Sequence, residues 1–444
     1  MLHHLSSNQS VVESARQSQH PLATTGGRSW FWAITDQGVV SLASFIATVI
    51  IGRCCAPEQL GIYSVLISGV WLLGGLLNAL VWVPYTSEAP QLTGKRLARY
   101  AGSTLVHLAG LLGICVAGLV LTAVVAESLG RFAGINIEFA NQIRTFSLIM
   151  VPVLVLLMLR NHLRRTAIAH LEMWRLWKID IPISGLHIVL LLLFARWGIL
   201  TASTGILALA LACGLSLGWL VWLWKQFRFD WRSTRYYLVY NWRFGSWLVG
   251  ASLAWLLAQN VYRWLVWSQE GLFALGEFSA AFYMAMSLSP LLLAVENVTR
   301  ALAANRLAEG EEGELRRTTT EMTLILALVF GVLSVILGVF GGELVTAIYG
   351  EDYAGQQAVV ATLCLGLFVF AVNIPVDSAL LALRRGQVVL VASLTQLVLG
   401  VGIAAPLMLW LGTVSIGYAM AVSGAGGLIV RWVCFCRSQQ RASR

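Results

Sequence analysis

Residues 30–84 read WFWAITDQGVVSLASFIATVIIG, then RCCAPEQL, then GIYSVLISGVWLLGGLLNALVWVP. Each apolar run exceeds the ~20 residues that cross a bilayer core, and the polar elbow between them is too short for a soluble domain. The stretch therefore predicts a transmembrane hairpin. Asp36 and Gln37 sit within its first helix, although a carboxylate near a helix centre costs roughly 2.5–3.5 kcal/mol to insert. Something other than lipid must surround them.

Composition extends this to the whole chain. Of 444 residues 58% are hydrophobic and 11% charged, against about 25% charged in soluble proteins, which excludes an ordinary solvated surface. The net charge of +9 does not point to nucleic acid, because the basic residues are scattered over short loops. Seven cysteines lie mostly in or beside apolar runs and read as small core residues, not a disulfide framework. Cys434 and Cys436, a lone C-x-C without histidines, are a weak signal for acylation or metal. No metal site or cofactor is expected.

The first 28 or so residues lack an apolar run followed by a cleavage site and read as a polar, disordered cytoplasmic tail, with His3 and His4 solvated. After the hairpin, further spans are predicted at about 100–126, 145–163, 177–195, 200–224, 246–268, 276–298, 321–341, 357–379, 387–411 and 413–433, giving twelve. With the N-terminus inside, all but five of the 30 Lys and Arg fall on the cytoplasmic side. The exceptions are Arg53, Arg131, Arg144 and Arg196 outside, and Arg263 within a span. That regularity supports both the number of spans and cytoplasmic placement of both termini.

The chain also repeats. Leu60-Gly61-Ile62-Tyr63-Ser64 opens the second helix and Leu275-Gly276-Glu277-Phe278-Ser279 the eighth, while Arg164-Arg165 after the fourth corresponds to Arg384-Arg385 after the tenth. Both matches map the first six spans onto the last six, so the expected architecture is all-α with two six-helix lobes around a central cavity. The divisions are a tail (1–29), an N-lobe (30–224), a linker (225–245), a C-lobe (246–433) and a second tail (434–444). The linker mixes Arg with Trp, Tyr and Phe and reads as an interfacial segment meeting anionic lipid, not a single-strand nucleic-acid binder.

Candidate functional residues are the polar side chains within spans. Asp36, Gln37, Asp180, Glu296 and Asp377 are candidates for coupling to a proton or cation. Arg160, Arg164, Arg165, Arg263, Asn260, Gln259 and Asn78 are candidates for holding an anionic substrate. His187 and Asn373 share the inner half with most of these, which suits a polar vestibule.

The run Asp36-Gln37, Ser41, Phe45, Arg53, Pro57-Glu58 and Gly61-Ile62-Tyr63-Ser64 resembles the opening of bacterial polysaccharide-biosynthesis membrane proteins. These are the lipid-linked oligosaccharide (O-antigen type) flippases of the multidrug/oligosaccharidyl-lipid/polysaccharide (MOP) superfamily. Three later stretches resemble them too: Leu159-Arg160 to Arg164-Arg165 followed by Asp180, residues 241–247 (NWRFGSW), and residues 348–353 (IYGEDY). The resemblance covers about residues 30–433. It implies a MATE-like fold of two lobes that alternate between inward-open and outward-open forms and move an undecaprenyl-pyrophosphate-linked glycan across the bacterial inner membrane. The fourteen spans and central arginine set of the peptidoglycan-precursor flippases are not found. The implied partners are the lipid-linked oligosaccharide, membrane lipids, protons or sodium, and polysaccharide-assembly membrane proteins, with no nucleic acid. Two alternatives stand: a multidrug or cation antiporter of the same superfamily, and a membrane-embedded glycan polymerase or ligase. The last is disfavoured because the outer loops are short and carry no paired acid/base residues. No enzymatic activity is expected.

Overall fold

A computed structural model describes residues 22–132, 137–170, 172–223, 227–308, 312–383 and 385–442. His3, His4 and Arg384 lie outside them. The described residues form helices joined by short connections, with no strand among them. The helices are α1 (Leu22–Cys54), α2 (Pro57–Gln91), α3 (Gly94–Phe132), α4 (Ile137–Ala169), α5 (Met173–Arg196) and α6 (Ala202–Cys213, continued as Leu215–Leu223). After residue 230 come α7 (Trp231–Met286), α8 (Ser289–Ala308), α9 (Glu312–Tyr349), α10 (Gln357–Ala382), α11 (Gly386–Leu411) and α12 (Val414–Ala442). Many run past the expected span limits, because their ends are polar and continue the helix beyond the hydrocarbon core.

Among the described residues ten helices are long and apolar enough to cross a membrane, or eleven if the bent pair Ser252–Met286 and Ser289–Arg300 counts as one span. That falls short of twelve, and the difference lies in α7. Gly271 is its single non-helical residue, at φ 86° and ψ −173°, a backbone region that glycine tolerates. The Arg263 guanidinium carbon lies 4.3 Å from the Phe282 ring centre. In one continuous helix residues 19 apart would be about 28 Å apart. The chain therefore folds back at Gly271, and the expected spans at 246–268 and 276–298 are the two arms of this hairpin, the second continuing into α8.

Burial follows the two halves. One cluster joins Tyr85, Tyr100, Leu163, Ile179 and Cys213 of the first half, and another joins Ala303, Leu315, Val376, Leu380 and Phe435 of the second. The largest cluster takes residues from both, including Leu60, Leu66 and Leu77 of α2 with Val266, Leu275 and Phe278 of α7.

The seam between the halves is the antiparallel packing of α2 on the first arm of α7. Gly245 abuts the backbone of Ala79 and Leu80, and Gly75 abuts Leu256. The Trp264 indole donates to Ser68 Oγ at 2.9 Å. Where the second arm starts, Gly61 meets the Leu272 carbonyl and Gly276 meets the Pro57 carbonyl. A clasp closes the same end: Arg53 Nε donates to the Ile348 carbonyl at 2.6 Å and Nη2 to that of Ala347, while the Thr48 and Tyr349 hydroxyls lie 3.0 Å apart. Arg53 thus places its charge on the last carbonyls of α9, where the helix dipole is negative.

Candidate functional site

Three helices of the first half bring four charged side chains into one buried network. On α4, Arg160 and Arg164 are one turn apart and share a face. Asp36 comes from α1 and Asp180 from α5. Arg160 donates Nε and Nη2 to Asp180 Oδ1 at 2.8 and 2.6 Å. Arg164 bridges both acids, with Nη2 2.9 Å from Asp36 Oδ2 and Nε 3.1 Å from Asp180 Oδ2. Asp36 is 2% exposed and Asp180 0%, so neither faces lipid.

Two positive and two negative charges cancel, which is how such groups persist away from water: each ion is desolvated against an opposite charge with directed hydrogen bonds. The network is not saturated, because Asp36 Oδ1 is buried without a hydrogen-bond partner. His187, on α5 with Asp180, is buried with its Nε2 unpartnered. Arg165 is half-buried and makes no ion pair or side-chain hydrogen bond among the described residues.

The second half carries a counterpart at the same end of its helices. Arg431 of α12, 3% exposed, gathers oxygens from two other helices. Its Nε reaches Asp377 Oδ1 at 2.5 Å, Nη1 reaches Asn373 Oδ1 at 3.2 Å, and Nη2 reaches Gln396 Oε1 at 3.4 Å. Asn373 and Asp377 come from α10, Gln396 from α11. Arg431 and Gln396 are missing from the sequence-based candidates. Arg431 falls inside the expected span 413–433, but its place near the cytoplasmic end makes it read as one more positive-inside cation. Gln396 had no signal, since nothing in its local sequence shows that it faces α12.

Arg263, on the first arm of α7, differs from all of these. It is 9% exposed and its Nε is buried without a partner. Its Nη1 donates to Asn260 Oδ1 at 2.6 Å, and its guanidinium lies over the Phe282 ring, a cation–π contact. Among the described residues no carboxylate pairs with it. The hydroxyl of Tyr283, which follows Phe282, is also buried and unpartnered. Half-buried Gln259 precedes Asn260. Arg263 is thus a buried cation held by a neutral amide and an aromatic ring.

The remaining sequence-based candidates stand apart. Asn78 opens a π-helical turn of α2 (Asn78–Trp82) with its Oδ1 buried and unpartnered. Gln37 Nε2 lies 3.5 Å from Ser41 Oγ. Glu296 pairs along its own helix with Arg300. Arg385 is exposed, whereas its repeat counterpart Arg165 is half-buried. No metal-holding group of His, Cys, Asp and Glu occurs among the described residues. Two surface recesses stand out, one lined by Glu343, Thr346, Glu351 and Gln357 and one by Leu121, Val125, Phe139 and Ile143; neither lies between the halves.

The family described as polysaccharide biosynthesis protein (Polysacc_synt_3) matches residues 170–358. No functionally curated protein matches the chain. Among solved structures, an inward-facing multidrug resistance MATE family transporter of the MOP superfamily superposes with a TM-score of 0.67 at 17% identity, covering 91% of this chain and 94% of that one. A MOP superfamily transporter from Pyrococcus furiosus gives 0.65 at 16% identity, covering 93% and 94%. The lipid II flippase MurJ, in an inward closed conformation, gives 0.68 at 13% identity, covering 90% and 86%. The fold is thus the one shared by MATE transporters and MurJ. The match over residues 170–358 agrees with the resemblance to polysaccharide-biosynthesis membrane proteins read from the sequence.

Proposed function

We propose that this protein is an alternating-access flippase that moves an undecaprenyl-pyrophosphate-linked oligosaccharide across the bacterial inner membrane for polysaccharide or O-antigen assembly. Both termini are cytoplasmic in this reading, and the lobes rock about the α2–α7 seam to expose a shared cavity to each side in turn. The polysaccharide-biosynthesis match and the fold shared with a lipid II flippase support it. The observation that carries it is Arg263, a buried cation without an anion among the described residues. A pyrophosphate supplies the missing charge as acceptor of charge-assisted hydrogen bonds, with Asn260, Gln259 and Tyr283 as neutral partners.

In the first half the headgroup meets Arg165 and then competes with Asp36 for Arg164. Asp36, released, takes up the coupling proton or cation, and Asp180 stays with Arg160. No covalent chemistry is involved. A cation antiporter fits less well, because the acids it would use are already neutralised by Arg160, Arg164 and Arg431.

The test is glycan export in cells that depend on this protein. Arg263→Gln should abolish export at normal membrane insertion, and Arg263→Lys should restore part of it. Wild-type export by a stably inserted Arg263→Gln would overturn the assignment. Drug resistance on expression, without glycan export, would favour the antiporter.

A further inference from the structure

The opening of α7 carries a surface that the transport path does not use. Asp230 caps the helix: its carboxylate accepts from the Arg232 backbone N–H at 3.3 Å and the Ser233 hydroxyl at 2.6 Å. The Ser233 bond holds this carboxyl below its ordinary range. One face is pinned to the first half. The Tyr100 hydroxyl donates to Asn241 Oδ1 at 2.9 Å, His107 Nε2 lies 2.9 Å from the Thr234 carbonyl, and the Tyr240 hydroxyl donates to Glu88 at 2.8 Å. The Arg228 amide donates to the Ala98 carbonyl at 3.0 Å.

The opposite face is free and has two helical rows, Trp231/Arg235/Leu238/Trp242 and Arg232/Tyr236/Val239/Arg243. Trp231 is 78% exposed, Tyr236 65% and Trp242 59%. Among the described residues Arg232, Arg235 and Arg243 make no ion pair, and Asp230 and Glu88 are engaged as described.

We propose that this face is a docking site for the headgroups of anionic phospholipids. Charge complementarity and composition argue for that occupant. The guanidinium groups suit lipid phosphates, and indole and phenol rings between them are the side chains that settle at headgroup depth. Exposed Leu238 and Val239 favour a hydrocarbon neighbour, which acyl chains supply and a nucleic acid would not. The site is preformed, because hydrogen bonds to α2 and α3 fix the helix whether or not lipid is present. The same helix continues through Asn260 and Arg263 to Gly271, so the lipid site lies on the arm that carries Arg263.

The test uses the full chain in vesicles of mixed phosphatidylglycerol and phosphatidylcholine, extracted gently, with retained lipids read by mass spectrometry. The parent should enrich phosphatidylglycerol, with enrichment falling as salt rises. The R232Q/R235Q/R243Q variant should lose it by about fivefold per arginine, and Trp242→Ala should lower it at unchanged net charge. If the triple variant inserts poorly, Arg235→Gln alone reads the same effect. Equal retention of the two lipids by the parent, or undiminished phosphatidylglycerol in the folded arginine variants, would overturn the proposal.

Discussion

Gly61 and Gly276 face each other's helices in reciprocal contacts: a side chain on Gly61 would strike the Leu272 carbonyl, and one on Gly276 the Pro57 carbonyl. Pro57 and Leu272 are separated by the same 215 residues as Gly61 and Gly276. The repeat in the sequence is therefore a pseudo-two-fold axis in space, and the two glycines lie beside it. Such a contact is isologous, as in a symmetric dimer. Ser64 and Ser279, the next repeat-related pair, are both fully buried with unpartnered hydroxyls.

Gly61→Ala and Gly276→Ala should each destabilise the protein by about 1–3 kcal/mol, because a rigid carbonyl cannot yield to the new methyl. Thermal unfolding in detergent measures this. Gly110→Ala, in open space on α3, should be neutral or slightly stabilising through helix propensity.

Arg164→Ala should cost about 3–5 kcal/mol, since it leaves two buried carboxylates without their shared cation. Adding Asp36→Asn should recover part of that loss, and a double-mutant cycle on folded yield and thermal stability gives the coupling. Additive losses would mean that the two side chains act independently.

Arg431→Lys should behave nearly as badly as Arg431→Ala. One ammonium on a flexible stem cannot hold oxygens from Asp377, Asn373 and Gln396 in the spread that a planar guanidinium reaches. Unfolding midpoints of the two variants, compared directly, decide this.

Burial raises the Cys55 thiol to about 11, with Cys54 beside it adding to the shift. Since the thiolate is the reactive form, alkylation of Cys55 should rise about tenfold per pH unit until that value and then level off. Arg53→Ala, which removes the clasp to the end of α9, should speed labelling at every pH. Peptide mass spectrometry at Cys55 follows both effects, and an unchanged rate would show that the clasp does not restrict access.

Helix positions, the repeat and the resemblance were legible in the sequence because they depend on local patterns. Hydrocarbon thickness dictates apolar run length, and LGIYS returns as LGEFS. The acid–arginine grouping was half legible: Arg160, Arg164, Asp36 and Asp180 were all singled out, but as separate cations and coupling acids, not as one neutral network. Arg431 escaped for the reason its charge is tolerated, since its partners are distant in sequence and close only after α10, α11 and α12 pack together.

By itself the sequence determined that this chain crosses a membrane repeatedly as two related halves, because bilayer insertion constrains every residue's polarity along the chain. The tertiary structure alone decided which charges cancel. Asp36 and Arg164 meet across 128 positions, while Arg263 is left with only neutral polar partners and an aromatic ring among the described residues. Electrostatic pairing depends on distances of a few ångströms between helices, and no local pattern of residues encodes those.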